Sequence, residues 1–388
     1  MRIELKYGCN PHQEHASASA QGEPLRVLNG RPSYINLLDG LRSWQLVREL
    51  KAATGEASAA SFKHVSPAGA AVAGELSDEF AKAHLVRGHR DLSPVASAYA
   101  RARSSDRVAS FGDFVAVSEP VDASLAGLLK SEVSDGIIAP AYDDDALAVL
   151  SAKKGGKYVV LQIDPDHEPP ATEARDLFGV RLEQAYDDAV VDASTFSNVV
   201  TQRDQIPGAV MRTLIVTTLT LKHTQSNSVA IGLDGQAVGV GAGQQSRIAC
   251  TRLACEKADR WLLKLHPKTL GLQFAPKLPR AEKVNVIDSY VRYHELNDIE
   301  RGELVGKLAA EPEPISESER ADWLSKPREA VLSSDAFIPF RDNLDRAAAS
   351  GVRYVAHAGG SARDDEVTAA ADEHQMVMAL TGLRLFLH

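Results

Sequence analysis

Cysteine is scarce in this chain of 388 residues. Cys9, Cys250 and Cys255 are too few and too irregularly spaced for a disulfide framework or a Cys-x-x-Cys metal site, which fits a reducing compartment. The N-terminus has no apolar run of the kind a signal peptide carries, and no window reaches the length of a membrane span. The expected location is therefore cytoplasmic, with no membrane partner. Positive charge is not in excess either: the net charge is -9 and the pI about 5.8, so there is no broad basic face for a polyanion. Nucleic acid is excluded as an expected partner, and any anionic ligand must be small and locally clamped. What remains is ordinary globular composition, 44% hydrophobic and 24% charged, on a chain longer than one small core organises. Two domains, or one unit used twice, is the starting expectation.

Helical and strand patterns alternate throughout, which predicts an α/β protein. Two passages read as the same unit. In the first, Gly136 to Pro140 is a buried strand, Asp143-Asp144-Asp145 starts a helix running to about Ala152, and Lys157 to Ile163 is a second strand. In the second, Val352 to Ala356 is the strand, Asp364-Asp365 starts the helix, and Met376 to Leu380 returns as a strand. Acidic residues in a first helical turn favour its positive end, so both βαβ readings have a cause. The repetition predicts a duplicated fold with one copy in each half, at 1-195 and 196-388.

Between the copies, Val210 to Thr224 has helical spacing, and Ser228 to Leu233 and Ala237 to Gly241 flank Asp234-Gly235. That dipeptide between apolar runs predicts a hairpin. Gly243-Gln244-Gln245-Ser246-Arg247 then leads into a long helix containing Arg252, Leu253, Lys257 and Trp261. A glycine and small residues ahead of a helix admit a ligand to its unpaired N-H groups, although hairpin geometry alone accounts for Gly239 and Gly241. From 267 to 327 the chain becomes polar and proline-punctuated, which reads as a helical insertion or linker with solvated faces.

The feature that points to chemistry is Lys63-His64, within Ser61-Phe62-Lys63-His64-Val65-Ser66-Pro67-Ala68-Gly69. A cation beside an imidazole, delivered by a Pro/Gly turn at the end of a strand, supplies an oxyanion stabiliser and a proton acceptor. Other polar groups sit at predicted element ends: Lys6-Tyr7 with His12-Gln13, Asn36 and Asp39 within one helical turn, Phe111 to Phe114, Ser134-Asp135-Gly136, Lys222 to Ser228, and Ser333 to Asn343. Each also serves as a cap, turn or buried hydrogen bond, but α/β enzymes build their sites at such ends.

Taken in order, Leu5 to Gln13, Ser61 to Gly69, Ala98 to Arg103 with Ser110 to Phe114, Thr224 to Ser228, Gly241 to Arg247, Ser333 to Asn343 and Leu383 to Phe386 with His388 resemble AICAR transformylase along essentially the whole chain. That enzyme is usually the C-terminal part of a bifunctional purine-biosynthesis protein that also has IMP cyclohydrolase activity. The resemblance implies formyl transfer from 10-formyltetrahydrofolate to the 5-amino group of AICAR. It further implies two cytidine-deaminase-like α/β domains, and a homodimer that completes each site across its interface. The His-x-Glu and Pro-Cys-x-x-Cys elements of the zinc deaminases do not occur, so no zinc is expected.

Position by position, the resemblance makes His64 the base for the attacking amine, Lys63 the cation at the developing oxyanion or the folate leaving group, and Asn227 the residue that orients the reacting groups. Lys6, Tyr7, Asn36, Gly112, Arg247, Phe337, Arg384, Phe386 and His388 match the nucleotide-binding set, and Asp135 a folate-contacting acid. Some members hold a potassium ion, whose surroundings match Leu221, Thr224, Ser226, Ser228, Asp335 and Leu385.

Four departures stand out. Lys6 replaces a common arginine and so loses the planar fork; Ala249 and Leu387 replace histidines, and Gly382 an asparagine. The sequence opens on the transformylase motif, so a stand-alone form is expected, with a separate IMP cyclohydrolase closing the ring. Two alternatives stay open: a formyltransferase for a related amino-carboxamide nucleotide in a specialised pathway, and a non-catalytic nucleotide-binding homologue.

Overall fold

Short polar side chains cap several helices: Ser33, Ser77, Ser93, Asp122, Ser246, Asn297 and Ser316 each accept a backbone N–H of the first turn. The computed structural model describes residues 1–388. A small sheet of β1 (Arg2–Glu4) and β2 (Ser17–Ser19) precedes β3 (Leu25–Asn29). The first half then runs through α1 (Tyr34–Thr54), β4 (Ser58–Lys63), β5 (Ser66–Val72), α2 (Asp78–Ala83), α3 (Pro94–Ser104) and β6 (Asp113–Val117). It continues with α4 (Ala123–Lys130), β7 (Ser134–Ala139), α5 (Asp144–Ala152) and β8 (Val159–Ile163). A separate hairpin, β9 (Thr172–Leu177) with β10 (Val180–Ala185), follows.

The second half begins with α6 (Gly208–Lys222), the hairpin β11 (Val229–Leu233) and β12 (Gln236–Gly241), and α7 (Arg247–Lys264). Four helices come next: α8 (Pro267–Leu270), α9 (Arg280–Val291), α10 (Asp298–Gly306) and α11 (Glu317–Leu324). The chain ends with β13 (Ala330–Ser334), α12 (Asp342–Ala349), β14 (Val352–His357), α13 (Asp364–Glu373) and β15 (Val377–Leu380).

One mixed sheet of eleven strands, ordered β15-β14-β13-β11-β12-β5-β4-β6-β7-β8-β3, carries the whole architecture. Each half has the same order: a helix, an antiparallel hairpin, a helix, then three mutually parallel strands separated by helices. The halves meet edge to edge, with Gln236 of β12 paired to Ala71 of β5. Helices α1 and α6 pack against each other on one face, burying Leu46, Val47, Leu50, Leu214 and Leu219 over Phe62, Phe114 and Leu161. Full burial of each such side chain contributes roughly 1.5–3 kcal/mol, more than helix propensity can. The other face is covered by α3, α4 and α5 over one half and by α7, α12 and α13 over the other.

The Asp234-Gly235 hairpin forms as predicted, with φ of 48° and 70°, the left-handed pair that a two-residue hairpin turn requires. Gly239 and Gly241, however, lie outside the turn and answer to a helix. A Cβ on either would lie 2.2–2.3 Å from a carbonyl oxygen of α7, at Ala254 and Cys250. They are small so that α7 can lie on β12. The 267–327 region is a packed layer rather than a linker: Val286, Ile287 and Tyr290 of α9 join the core under α7, and the Trp323 indole donates to the Leu262 carbonyl at 2.8 Å. Arg280 binds Glu132 and the Leu85 carbonyl, tying this layer to the first half.

Candidate functional site

Lys63 ends β4, and His64 and Val65 are the whole turn to β5. The sequence reading assigned that turn to Pro67 and Gly69, and the structure corrects it: both lie inside β5, paired with Phe62 and Ser61. Gly69 instead makes room for α3, since a Cβ there would lie 2.3 Å from the Ala102 carbonyl oxygen. His64 and Val65 have φ of 55° and 61°. Left-handed backbone costs an L-residue roughly 1–2 kcal/mol and is least suited to a β-branched side chain, so something outside the turn must hold it. The exposed His64 and half-buried Lys63 face an open cavity of about 400 Å³, lined from the second half by Val240, Leu253 and Lys257. The Lys63 ammonium donates to the Phe111 carbonyl, which fixes it beside Gly112.

Around this tip the ends of several elements converge. Gly112, with φ of 76°, lies over the Asp135 carboxylate, its Cβ position 3.6 Å from Oδ2, and Asp135 pairs with Lys154. Asp39, buried on α1, accepts the Val65 N–H at 2.6 Å. Burial pushes the Asp39 carboxyl up to about 6; the Val65 N–H and His64 oppose that rise, while Asp135 and Asp113 add to it. Lys6 and Tyr7 lie at the start of α1, where Lys6 N–H donates to the Pro32 carbonyl and Tyr34 N–H to the Tyr7 carbonyl. The Lys6 ammonium stands 5.4 Å from the Tyr7 ring centre. Asn36 caps α1: its Oδ1 accepts the Ser33 N–H at 3.0 Å, so only its amide nitrogen is left for a ligand. Thus Lys6, Tyr7 and Asn36 gather at the start of α1, Lys63 reaches the Phe111 carbonyl beside Gly112 and Asp135, and Asp39 ties α1 to the turn that carries His64.

A second group assembles on Asp335, at the end of β13. Its carboxylate is fully buried; Oδ1 takes Arg247, and Oδ2 takes the hydroxyls of Ser226 (2.7 Å) and Ser228 (2.9 Å) and the Ser228 N–H (2.9 Å). Arg247 also donates to the Ser228 carbonyl at 2.8 Å and to Asn227 Oδ1 at 2.9 Å. A guanidinium proposed for the nucleotide is therefore turned inward, where it holds Asn227. Asn227 Nδ2 is bound to the Gln244 carbonyl at 3.0 Å, and Cys250, its thiol pushed up to about 11 by burial, donates to the Asn227 carbonyl. The Ser226–Asn227 peptide is cis. The start of α7 is capped by Ser246, whose hydroxyl accepts from the Ala249 N–H.

The chain end is zipped onto this group: Leu385 N–H donates to the Asp335 carbonyl at 2.8 Å, and Leu387 N–H to Ser226 Oγ at 3.1 Å. It carries Arg384 over the Phe386 ring at 5.2 Å, with His388 edge-on to Phe386 at 5.6 Å. Phe337 and Phe386 are 44% and 42% exposed, unusual for phenylalanine and suited to stacking on a flat ligand. Of the expected potassium set, Ser226, Ser228, Asp335 and Leu385 lie together, while Thr224 N–H donates to the Leu221 carbonyl next to them. These are oxygen donors of the class a hard cation takes, and Asp335 already has Arg247 as counter-ion. No hydrogen bond or ion pair joins this second group to Lys63-His64.

His357 props the loop that carries Phe337. Its Nδ1 accepts the Ile338 N–H at 3.3 Å and the Gly359 N–H at 3.2 Å, and burial holds the ring down to about 4, with Asp364 working against burial and Arg247 with it. An imidazole whose folded value lies below its unfolded one contributes stability above about 6.5 that is lost as pH falls through about 4. Urea unfolding of the wild type at pH 7 and pH 4 should differ by more than that of His357→Asn, which keeps a neutral acceptor. The expected excess is on the order of 3 kcal/mol, and equal pH dependence would remove His357 from this role.

Sequence reasoning missed the hairpin of β9 and β10, whose cue is Phe178-Gly179, both at positive φ, between alternating residues. It also missed the pairing of Asp39 with Val65 and of Asp335 with Arg247, for which no local signal exists.

A family model described as AICARFT/IMPCHase bienzyme matches residues 1–257. Among curated relatives, the bifunctional purine biosynthesis protein PurH of Cereibacter sphaeroides is 31% identical over 390 residues, covering 99% of this chain and 59% of that protein. PurH of Mesorhizobium japonicum is 32% identical over 391 residues, with 99% and 58% covered. The chain thus spans less than two thirds of the length of the relatives it matches.

Proposed function

The chain belongs to the AICARFT/IMPCHase bienzyme family, and from that premise we propose that it transfers the formyl group of 10-formyltetrahydrofolate to the 5-amino group of AICAR. The observation that carries this reading is the Lys63-His64 tip facing a cavity. An arylamine conjugated with a carboxamide is a weak nucleophile, so positioning and charge stabilisation must supply most of the acceleration. The amine nitrogen bonds to the formyl carbon and His64 takes the proton it sheds. Lys63 steadies the oxyanion; the bond to folate N10 then breaks, and N10 takes up the proton held by His64, giving formyl-AICAR and tetrahydrofolate. Lys6, Tyr7, Asn36 and Gly112 bind the nucleotide and Asp135 the folate. Asn227, held by Arg247, orients the reacting groups, while Phe337, Arg384, Phe386 and His388 complete the pocket.

In this proposal that last group completes the site from a partner subunit, as the family resemblance implies. A homodimer is further supported by the hairpin of β9 and β10, which exposes Leu177, Phe178, Val180 and Leu182 with no core of its own. The repeated order of elements supports two cytidine-deaminase-like units, 1–195 and 196–388, arising from a duplication. Potassium at Leu221, Thr224, Ser226, Ser228, Asp335 and Leu385, and a cytoplasmic location, are parts of the same proposal. No helix is long and apolar enough to cross a membrane. Ring closure of the product is assigned to a cyclohydrolase activity outside these residues.

A second reading, a related amino-carboxamide nucleotide as substrate, is favoured by Lys6, Ala249 and Leu387, which alter charge geometry and remove two imidazoles near the nucleotide set. Steady-state assays with AICAR and its analogues decide: turnover on AICAR is expected, and turnover on an analogue alone would replace the first reading with the second.

A further inference from the structure

The two hairpins that occupy equivalent places in the halves are held in the same way. The sixth residue of α1, Asp39, accepts the N–H of the second turn residue of the first hairpin, Val65, at 2.6 Å. The sixth residue of α6, Thr213, accepts the N–H of the second turn residue of the other hairpin, Gly235, at 2.9 Å. In both turns the two residues have positive φ. The second hairpin has Asp-Gly there, and a glycine takes up that backbone without cost. The first has His-Val, of which the valine is poorly suited to it.

Asp39 is also fixed in height. Its neighbour Gly40 lies against the sheet, where a Cβ would be 2.9 Å from the Phe114 ring, so this turn of α1 sits close on β6. Asp39 is 7% exposed.

We propose that Asp39 is the positioning residue of His64: by binding the Val65 N–H it holds an otherwise unfavourable two-residue turn, and that turn aims the imidazole into the cavity. The inference rests on the formyl-transfer reading for its kinetic readout only. Asp39 touches neither substrate nor the reacting atoms, and it acts through the backbone of Val65.

The test is a set of five proteins assayed with AICAR and 10-formyltetrahydrofolate: wild type, Asp39→Ala, Asp39→Asn, Val65→Gly and Asp39→Ala/Val65→Gly. Misplacing a catalytic group by about 1 Å costs up to about 100-fold, so Asp39→Ala should lower kcat by roughly 10- to 100-fold with KM little changed. Asparagine keeps the acceptor and should stay within about threefold of wild type, as expected when geometry rather than charge is what matters. Glycine at 65 accepts the turn unaided, so the double variant should recover to within about fivefold of Val65→Gly. A kcat of Asp39→Ala equal to wild type, an asparagine variant no better than alanine, or a double variant no better than Asp39→Ala overturns the proposal. Absence of wild-type turnover would instead defeat the formyl-transfer reading. A crystal structure of Asp39→Ala then decides: a displaced hairpin tip supports the clamp, and an unmoved tip ends it.

Discussion

Replacing His64 by alanine or asparagine is expected to lower kcat by about two to four orders of magnitude, while KM for the nucleotide changes far less. His64 supplies the one imidazole lining the cavity at the Lys63 tip, and the other cation there, Lys257, is paired with Asp106. On the proposed roles, the substitution removes the proton acceptor and leaves Lys63, the cavity walls and the proposed nucleotide contacts in place. The result belongs to the transition state rather than to binding. The two substitutions differ in a useful way, because asparagine tolerates left-handed backbone and alanine does so poorly. Equal losses would trace the effect to the lost base, and a loss confined to alanine would trace it to the turn. His64 is exposed and asparagine accepts its backbone, so the asparagine variant should not move the unfolding midpoint much. Wild-type turnover in the asparagine variant would remove His64 from the mechanism.

What the sequence made visible was local. Asp143 to Asp145 and Asp364-Asp365 start helices α5 and α13 because an acidic first turn is a signal within a few residues. Asp234-Gly235 is equally local, and its hairpin formed as read. Long-range pairings left no such trace. Val65 and Asp39 are 26 residues apart and Asp335 and Arg247 are 88 apart, and nothing near either residue names its partner. The same limit misplaced the turn at Lys63-His64. Pro67 and Gly69 are strong turn formers in isolation, but Gly69 answers to α3 and the actual turn uses residues whose cost is met by a helix 26 positions away. The family resemblance found Arg247 but not its direction, since a guanidinium beside a fully buried carboxylate turns to that carboxylate before any ligand arrives.

That inward turn makes Asp335 a residue whose loss should damage stability strongly. In Asp335→Ala, Arg247 stays buried with its charge unmet, and the hydroxyls of Ser226 and Ser228 lose their acceptor. Breaking a buried pair from one side costs roughly 3–5 kcal/mol, chiefly because the remaining ion is uncompensated. Urea unfolding should show that loss as a lower midpoint at similar slope. Removing both charges is a different matter: Asp335→Ala/Arg247→Met exchanges the orphaned ion for an apolar side chain of similar length. It should be clearly more stable than the single variant. Activity should not follow stability, because methionine cannot hold Asn227 Oδ1, which Arg247 now binds at 2.9 Å. A double variant that regains the unfolding midpoint but not kcat separates the two duties of this group, ballast for the fold and support for Asn227. If the single variant loses less than about 1 kcal/mol, or the double is no more stable than the single, the buried pair is not what holds this end of the sheet.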